Sequence, residues 1–308
     1  MEGLVYRSTG SWYEVKDLHD QFWKCRLKGK FKLDESIRSS NPIAVGDIVH
    51  FDIEDKTEET GMIYEIETRA NYVARVSPKN RNLKHIIASN LDQSLLIATL
   101  KNPKTSSGFI DRFLVSCEAY HIPAIIAFNK SDIYGEDEND RYLYLKNIYE
   151  AIGYKVLLIS AKEKTSIDKL IALLENKKTL ISGHSGVGKS SLINVLMPEQ
   201  DLKVMEVSDW SGKGMHTTTF AEMYDLTNTS KLIDTPGIRE LGIVDIEKEE
   251  LSGYFPEMRI RLQHCKFNNC LHLNEPDCAI QEAVVEGEIE EERFANYLAI
   301  LATLGEKF

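Results

Sequence analysis

The chain has 308 residues, 43% apolar and 28% charged, enough to bury a sizeable core and in keeping with two or three domains. Its net charge of -11 argues against binding nucleic acid through the whole surface, while leaving room for a local basic patch. The apolar runs are too short to span a bilayer, no basic-plus-apolar signal opens the chain, and the cysteines cluster late. The expectation is a soluble, cytoplasmic, reduced protein with a metal site, no disulfide framework and no membrane contact.

Residues 1–70 read as short strands over 4–6, 12–15, 22–31, 47–53 and 61–66, with Pro42 and Gly46 as punctuation. Five such strands suit a small barrel, and an OB-fold is the leading candidate. Lys24, Arg26, Lys28, Lys30 and Lys32 occupy every second position, so a strand would place them on one face with Cys25, Leu27 and Phe31 on the other. Two readings stay open: an RNA-backbone footprint, or a solvated face that protects a strand edge. Trp12, Tyr13, Phe22 and Trp23 are assigned to the core in preference to base stacking.

Residues 71–240 change character, with nearly uninterrupted apolar strands expected over 94–100, 124–129, 156–160, 179–182 and 231–234. Such runs belong in a parallel sheet covered on both faces. Between the first two, Ile110, Phe113, Leu114, Cys117 and Tyr120 fall at helical spacing, which makes Cys117 a core residue and not a nucleophile.

Asn129-Lys130-Ser131-Asp132 ends the second of these strands. The Asp132 carboxylate can accept from guanine N1–H and the exocyclic amine. Adenine offers no donor at N1, and leaving the carboxylate desolvated costs about 1–3 kcal/mol or more. Asn129 supports the base edge, and the stem of Lys130 packs over the base. Ser160-Ala161-Lys162 follows the third strand, with the Ala161 N–H aimed at guanine O6.

Gly183-His184-Ser185-Gly186-Val187-Gly188-Lys189-Ser190 then sits between a strand and a helical run that begins at Ser191. Glycines there let backbone N–H groups turn inward around phosphates, with Lys189 on the β and γ phosphates, Ser190 on Mg²⁺ and Ser191 beside the nucleotide. Asp234-Thr235-Pro236-Gly237 places Asp234 near Mg²⁺ and Gly237 near the γ-phosphate. Residues 207–220 read as a switch loop whose Thr218, with Thr217 next, offers a hydroxyl to Mg²⁺. Ile238 cannot orient a water as glutamine does, so His216 is the internal candidate for catalysis, set against an exposed loop residue with no such role.

The order of these motifs is rotated: guanine motif first, phosphate loop later. The order defines a circularly permuted GTPase, an α/β fold with the barrel before it. Near the end, Cys265-x₄-Cys270-x-His272-x₅-Cys278 supplies three thiolates and an imidazole, a closed tetrahedral set for one structural Zn²⁺ in a mainly helical domain spanning 241–308. His264 competes as imidazole, but its adjacency to Cys265 is awkward. The acidic run 286–292 reads as a solvated helix start, with Phe294, Tyr297, Leu298 and Leu301 as the apolar stripe.

Taken together, the chain resembles the ribosome small-subunit-dependent GTPase A family over nearly its full length. The resemblance rests on Val45-Gly46-Asp47, Asn90-Leu91-Asp92-Gln93, Ile110-Asp111-Arg112, the phosphate loop, Gly214-Met215-His216-Thr217-Thr218 and the Cys/Cys/His/Cys cluster. His184 stands where glutamine is usual, Met215 where arginine is usual and Asp277 where glycine is usual. The resemblance implies a monomeric, late maturation factor of the small ribosomal subunit. It would bind 16S rRNA near the decoding region with GTP and leave as GDP forms. It also favours RNA contact for the basic strand. A pure RNA-binding adaptor and a GTPase of another pathway are the competing readings.

Overall fold

The computed structural model describes residues 1–29, 41–76, 84–198, 221–235 and 246–304. The first five strands are β1 (Glu2–Ser8), β2 (Tyr13–Asp17), β3 (Phe22–Leu27), β4 (Ile48–Asp55) and β5 (Thr60–Ile66). They pair in the order β1-β2-β3-β5-β4, and β4 returns to β1 to close the barrel. Only β3 and β5 run parallel. Alternation explains the closure: Val5, Tyr13, Val15, Trp23, Cys25, Val49, Phe51 and Ile63 point inward and form one core.

Two assignments made from sequence change here. Tyr13 and Trp23 are buried, but Trp12 and Phe22 are 48% and 45% exposed, so they are not core. Phe22 packs edge-on against Tyr6 while Lys16 lies over its ring. The strand carrying the basic residues ends at Leu27. Lys24, Arg26 and Lys28 are exposed as expected, Arg26 is held by Glu54 at 2.9 Å, and Lys30, Phe31 and Lys32 lie outside the described residues.

A hairpin of β6 (Tyr72–Val76) and β7 (Lys84–Ser89) joins the barrel to the next layer. The sequence reading had no strands there. Its anchor is Asp47, fully buried, which accepts from Arg69 Nη2 at 2.6 Å, Arg69 Nε at 2.7 Å, Ser89 Oγ at 2.5 Å and Ala44 N at 2.8 Å. The preceding Gly46 has φ +93°, and a Cβ there would lie 2.2 Å from the Ser89 carbonyl oxygen, so the turn demands glycine. Asp47→Ala would strand the largely buried Arg69 guanidinium. A loss of about 3–5 kcal/mol is expected, read as a lowered denaturant midpoint.

The second layer contains β8 (Gln93–Ala98), β9 (Ala124–Phe128), β10 (Lys155–Leu158), β11 (Lys178–Ser182), β12 (Glu222–Asp225) and β13 (Lys231–Asp234). Their order is β10-β9-β8-β11-β13-β12, parallel except for β12. The unbroken apolar runs follow from burial on both faces. Leu96, Ala98, Ile126 and Phe128 face α1 (Ser107–Ala119) and α2 (Glu136–Ala151), whereas Leu95, Ile97, Ile125 and Ala127 face α3 (Ile167–Leu174) and α4 (Lys189–Leu196). Cys117 lies in the first of these cores, 1% exposed, and burial pushes its thiol well up, as befits a packing residue.

Strand β12 also pairs with β1, so barrel and parallel layer share one eleven-stranded sheet. Asp225 fastens the seam. It accepts from Tyr6 Oη at 2.6 Å, Lys16 Nζ at 2.8 Å and Lys231 Nζ at 2.5 Å, and these partners hold its carboxyl low against the opposing effect of burial.

The C-terminal part is helical, with α5 (Pro256–Arg259), α6 (Ala279–Val285) and α7 (Glu291–Thr303) around Phe255, Met258, Ile280, Tyr297 and Leu301. Helix α7 packs on α1. The acidic run before it is not simply solvated: Glu292 is bound by Arg141 and by the Ser107 hydroxyl, and Arg293 is buried. No helix among the described residues is long and apolar enough to cross a membrane.

Candidate functional site

The candidate nucleotide residues gather at one edge of the sheet because four parallel strands deliver them from their carboxyl ends. Asn129 follows β9, Ser160 follows β10, Gly183 follows β11 and Asp234 ends β13. The three loops are tied to each other. Asn129 Nδ2 donates to the Val187 carbonyl at 2.9 Å, and Asn129 Oδ1 accepts from Ala161 N at 3.0 Å. One asparagine thus joins phosphate loop, guanine loop and the Ser160-Ala161-Lys162 loop. Gly188 is required at this crossing, since its φ is +93° and a Cβ would lie 2.5 Å from Asn129 Nδ2.

Asp132 sits in a one-turn helix over Ser131–Ile133, preceded by Lys130 in the left-handed region at φ 66°. Ser160 Oγ donates to Asp132 Oδ1 at 2.6 Å, and Lys162 Nζ lies 3.9 Å from Oδ2. The carboxylate is therefore oriented before any base arrives. The Ala161 N–H, for which a contact with guanine O6 is expected, donates to Asn129 Oδ1 in this structure. Lys130 Nζ also bonds the Asn102 carbonyl at 2.5 Å, fixing its stem along the strap between β8 and α1.

In the phosphate loop, Gly183, Gly186 and Gly188 all have positive φ, the backbone form an inward-facing row of N–H groups needs. Lys189 Nζ donates to the carbonyls of Gly183 at 2.6 Å and His184 at 2.8 Å, folding back on its own loop. Burial pulls its pKa down. Val187 is buried in the core, Ser185, Ser190 and Ser191 are exposed, and Ser190 is the second residue of α4. Asp234 Oδ1 is buried and has no hydrogen-bond partner among the described residues. Burial raises the Asp234 carboxyl above its ordinary value, with Lys189 opposing. An unpartnered buried carboxylate oxygen beside a phosphate loop suits a cation and its water shell. Thr217, Thr218, His216, Gly237 and Ile238 lie outside the described residues.

The second site is the cluster Cys265, Cys270, His272 and Cys278, whose ligand atoms all lie within 4.8 Å of one another. Cys270 and Cys278 sulfurs are 3.7 Å apart, His272 Nδ1 is 3.3 Å from Cys278 Sγ, and Cys265 Sγ is 3.8 Å from Nδ1. A tetrahedron with metal–sulfur bonds of about 2.3 Å has edges of about 3.7 Å, so the spacing can hold a metal ion. His264 is not a member of this set. His272 and Asp277 adopt positive φ, 58° each, as the chain wraps back on the cluster.

A buried ionic group, which the sequence does not predict, ties α1, α5 and α7 together. Arg293 Nε and Nη2 donate to Glu257 at 2.8 and 3.1 Å, and Arg293 Nη1 pairs with Asp111. Asp111 also receives Tyr149 Oη at 2.8 Å and Asn296 Nδ2 at 2.6 Å. These two carboxylates hold the guanidinium charged despite its burial.

A parallel sheet whose guanine motif precedes its phosphate loop defines a circularly permuted GTPase. The family described as RsgA GTPase matches residues 66–244, and the RsgA N-terminal domain matches residues 2–63. The chain belongs to the RsgA GTPase family. It is 51% identical over 302 residues to "Small ribosomal subunit biogenesis GTPase RsgA" of Flavobacterium psychrophilum, covering 98% of this chain and 92% of that one. The protein of the same description from Cytophaga hutchinsonii is 52% identical, covering 98% of each. Among solved structures, YjeQ from Thermotoga maritima superposes with a TM-score of 0.79 at 33% identity over 100% of this chain and 99% of that one. YloQ, titled a circularly permuted GTPase, gives 0.73 at 32% identity over 98% and 93%.

Proposed function

We propose that this chain is a late maturation factor of the small ribosomal subunit, binding 16S rRNA near the decoding region with GTP and released by subunit-stimulated hydrolysis. The observation that carries this reading is its likeness, over almost the whole of both chains, to proteins named small ribosomal subunit biogenesis GTPases. It acts as a cytoplasmic monomer without a membrane partner, with domains over 1–70, 71–240 and 241–308.

Asn129, Lys130 and Asp132, with Ser160, Ala161 and Lys162, hold guanine. Residues 183–191 and Asp234 hold the phosphates and Mg²⁺, with Ser190 and, from the switch loop, Thr218 as magnesium ligands and Gly237 on the γ-phosphate. Lys189 and Thr218 act in the catalytic step, and His216 is the group assigned to the attacking water. Cys265, Cys270, His272 and Cys278 hold one structural Zn²⁺. Support for Asp132 is its pre-set orientation by Ser160. Asp132→Asn replaces one acceptor oxygen by a donor and is expected to weaken GTP binding by about 1–3 kcal/mol, measured as a ratio of GTP to ATP affinities that falls towards one.

For RNA contact, Lys24, Arg26 and Lys28 offer an exposed basic row on the barrel, continued in sequence by Lys30 and Lys32. Phosphate neutralisation by such a row makes binding weaken steeply with salt. Co-sedimentation with isolated small subunits tests the whole reading. A non-hydrolysable GTP analogue should retain the protein on the subunit and GDP should not. Equal retention in both states would favour an RNA-binding adaptor, and retention in neither would end the proposal.

A further inference from the structure

The phosphate loop and the C-terminal helices grip opposite sides of one short stretch of α1. On one side, Phe109 lays its ring against His184, the second residue of the loop, with centroids 3.6 Å apart and planes inclined by 31°. On the other, the Ser107 hydroxyl bonds Glu292, a Cβ at Gly108 would lie 3.3 Å from Asn296 Oδ1, and Asp111 receives Asn296 and Arg293 of α7. Four residues, Ser107, Gly108, Phe109 and Asp111, therefore bridge the loop to α7.

The loop works through backbone N–H groups, and three of its glycines have positive φ, a permissive backbone that is costly to order on binding. Its tethers decide how much of that cost remains. Lys189 holds the carbonyls of Gly183 and His184, but it is the group the phosphates would claim. The Asn129–Val187 hydrogen bond and the Phe109–His184 stack are tethers that make no demand on Lys189. The first fixes the middle of the loop and the second its entrance.

We infer that Phe109 is a positioning residue for the phosphate loop, and that docking of α7 on α1 holds it there, so the C-terminal unit tunes nucleotide affinity through the Phe109–His184 contact. By linkage, nucleotide in the loop must tighten the α1–α7 contact by the same factor. The inference rests on the phosphate-loop reading proposed above.

The test is a double-mutant cycle on the full-length protein, reading GDP affinity by calorimetry. Phe109→Ala should weaken GDP about threefold to tenfold, the range of an aromatic pair, while Phe109→Tyr, which keeps the ring, stays close to wild type. Asn296→Ala should weaken GDP about threefold in the wild-type background and have no further effect when Phe109 is already alanine. An equal effect of Asn296→Ala in both backgrounds, or none in either, overturns the inference, as does unchanged affinity in Phe109→Ala. Hydrogen exchange over residues 291–303 gives the reciprocal readout without relying on the stability of Asn296→Ala: GDP should slow exchange there in wild type and not in Phe109→Ala. Lys189→Ala keeps the two levels apart. Unchanged GDP affinity in that variant defeats the phosphate-loop reading itself, whereas a loss there beside an unaffected Phe109→Ala defeats only the inference.

Discussion

Lys189→Ala is expected to reduce the single-turnover rate of GTP hydrolysis by at least about 100-fold, the scale set by removing a preorganised charge from the site where negative charge develops. The side chain lies partly buried, and among the described residues its ammonium donates to the carbonyls of Gly183 and His184. Those carbonyls are modest partners for a cation, and phosphate oxygens are stronger ones. The loop thus holds the lysine folded back on carbonyls that the phosphates of the proposed nucleotide would outcompete. Lys189→Arg should fare little better, because a planar fork cannot reproduce a point charge in a space shaped by glycines. A rate within about tenfold of wild type in Lys189→Ala would remove the residue from the mechanism.

Stripping the proposed Zn²⁺ from the cysteine cluster is expected to unfold the C-terminal unit while leaving the barrel and the parallel sheet in place. The core there is small and leans on the cluster itself, since Cys270 and Cys278 are among its buried members beside Phe255, Ile280 and Tyr297. Zn²⁺ bound by such a set contributes about 10–16 kcal/mol towards folding, more than the whole stability of many domains. Burial pushes the Cys270 thiol up to about 12, so in the absence of a metal this sulfur keeps its proton and offers no thiolate charge to hold the fold together. Chelation should therefore expose residues 246–304 to protease and yield a stable fragment that retains the strands. Cys270→Ser should do the same without a chelator. Unchanged protease resistance after stoichiometric metal loss would show that packing alone maintains this unit.

The parts legible from sequence are those whose chemistry sits in a few contiguous residues. The phosphate loop, Asn129 to Asp132, and the Cys/Cys/His/Cys set each declare themselves because one turn or one ion imposes their spacing. The barrel and the parallel layer were legible for a related reason: alternation marks β2 and β3, and unbroken apolar runs mark β8 and β9. What failed to show was tertiary pairing. Arg293 reads as one more charge in an acidic helix start, yet it is buried between Glu257 and Asp111, the latter 182 positions away. Glu292 reads as solvated and is instead bound to Arg141. Neither pairing leaves a local trace, because each partner is an ordinary charged residue in its own element. Phe22 and Trp12 misled in the opposite sense. Aromatic side chains suggest a core, but a five-stranded barrel has room inside for only one face of each strand.

Lys24, Arg26 and Lys28 do share an exposed face, but Arg26 is engaged with Glu54, so the row is less purely cationic than its spacing suggests. The proposed RNA contact of this row should therefore come mainly from the lysines.

On the proposed function, the small ribosomal subunit switches GTP hydrolysis by this chain. Single-turnover hydrolysis of GTP with and without purified small subunits measures that directly. A group or ordering supplied in trans can add about 10³–10⁵-fold to a slow intrinsic rate. Slow hydrolysis by the free protein and a rise of that order with subunits, lost in Lys189→Ala, are expected. An intrinsic rate that small subunits leave unchanged would contradict the proposed function.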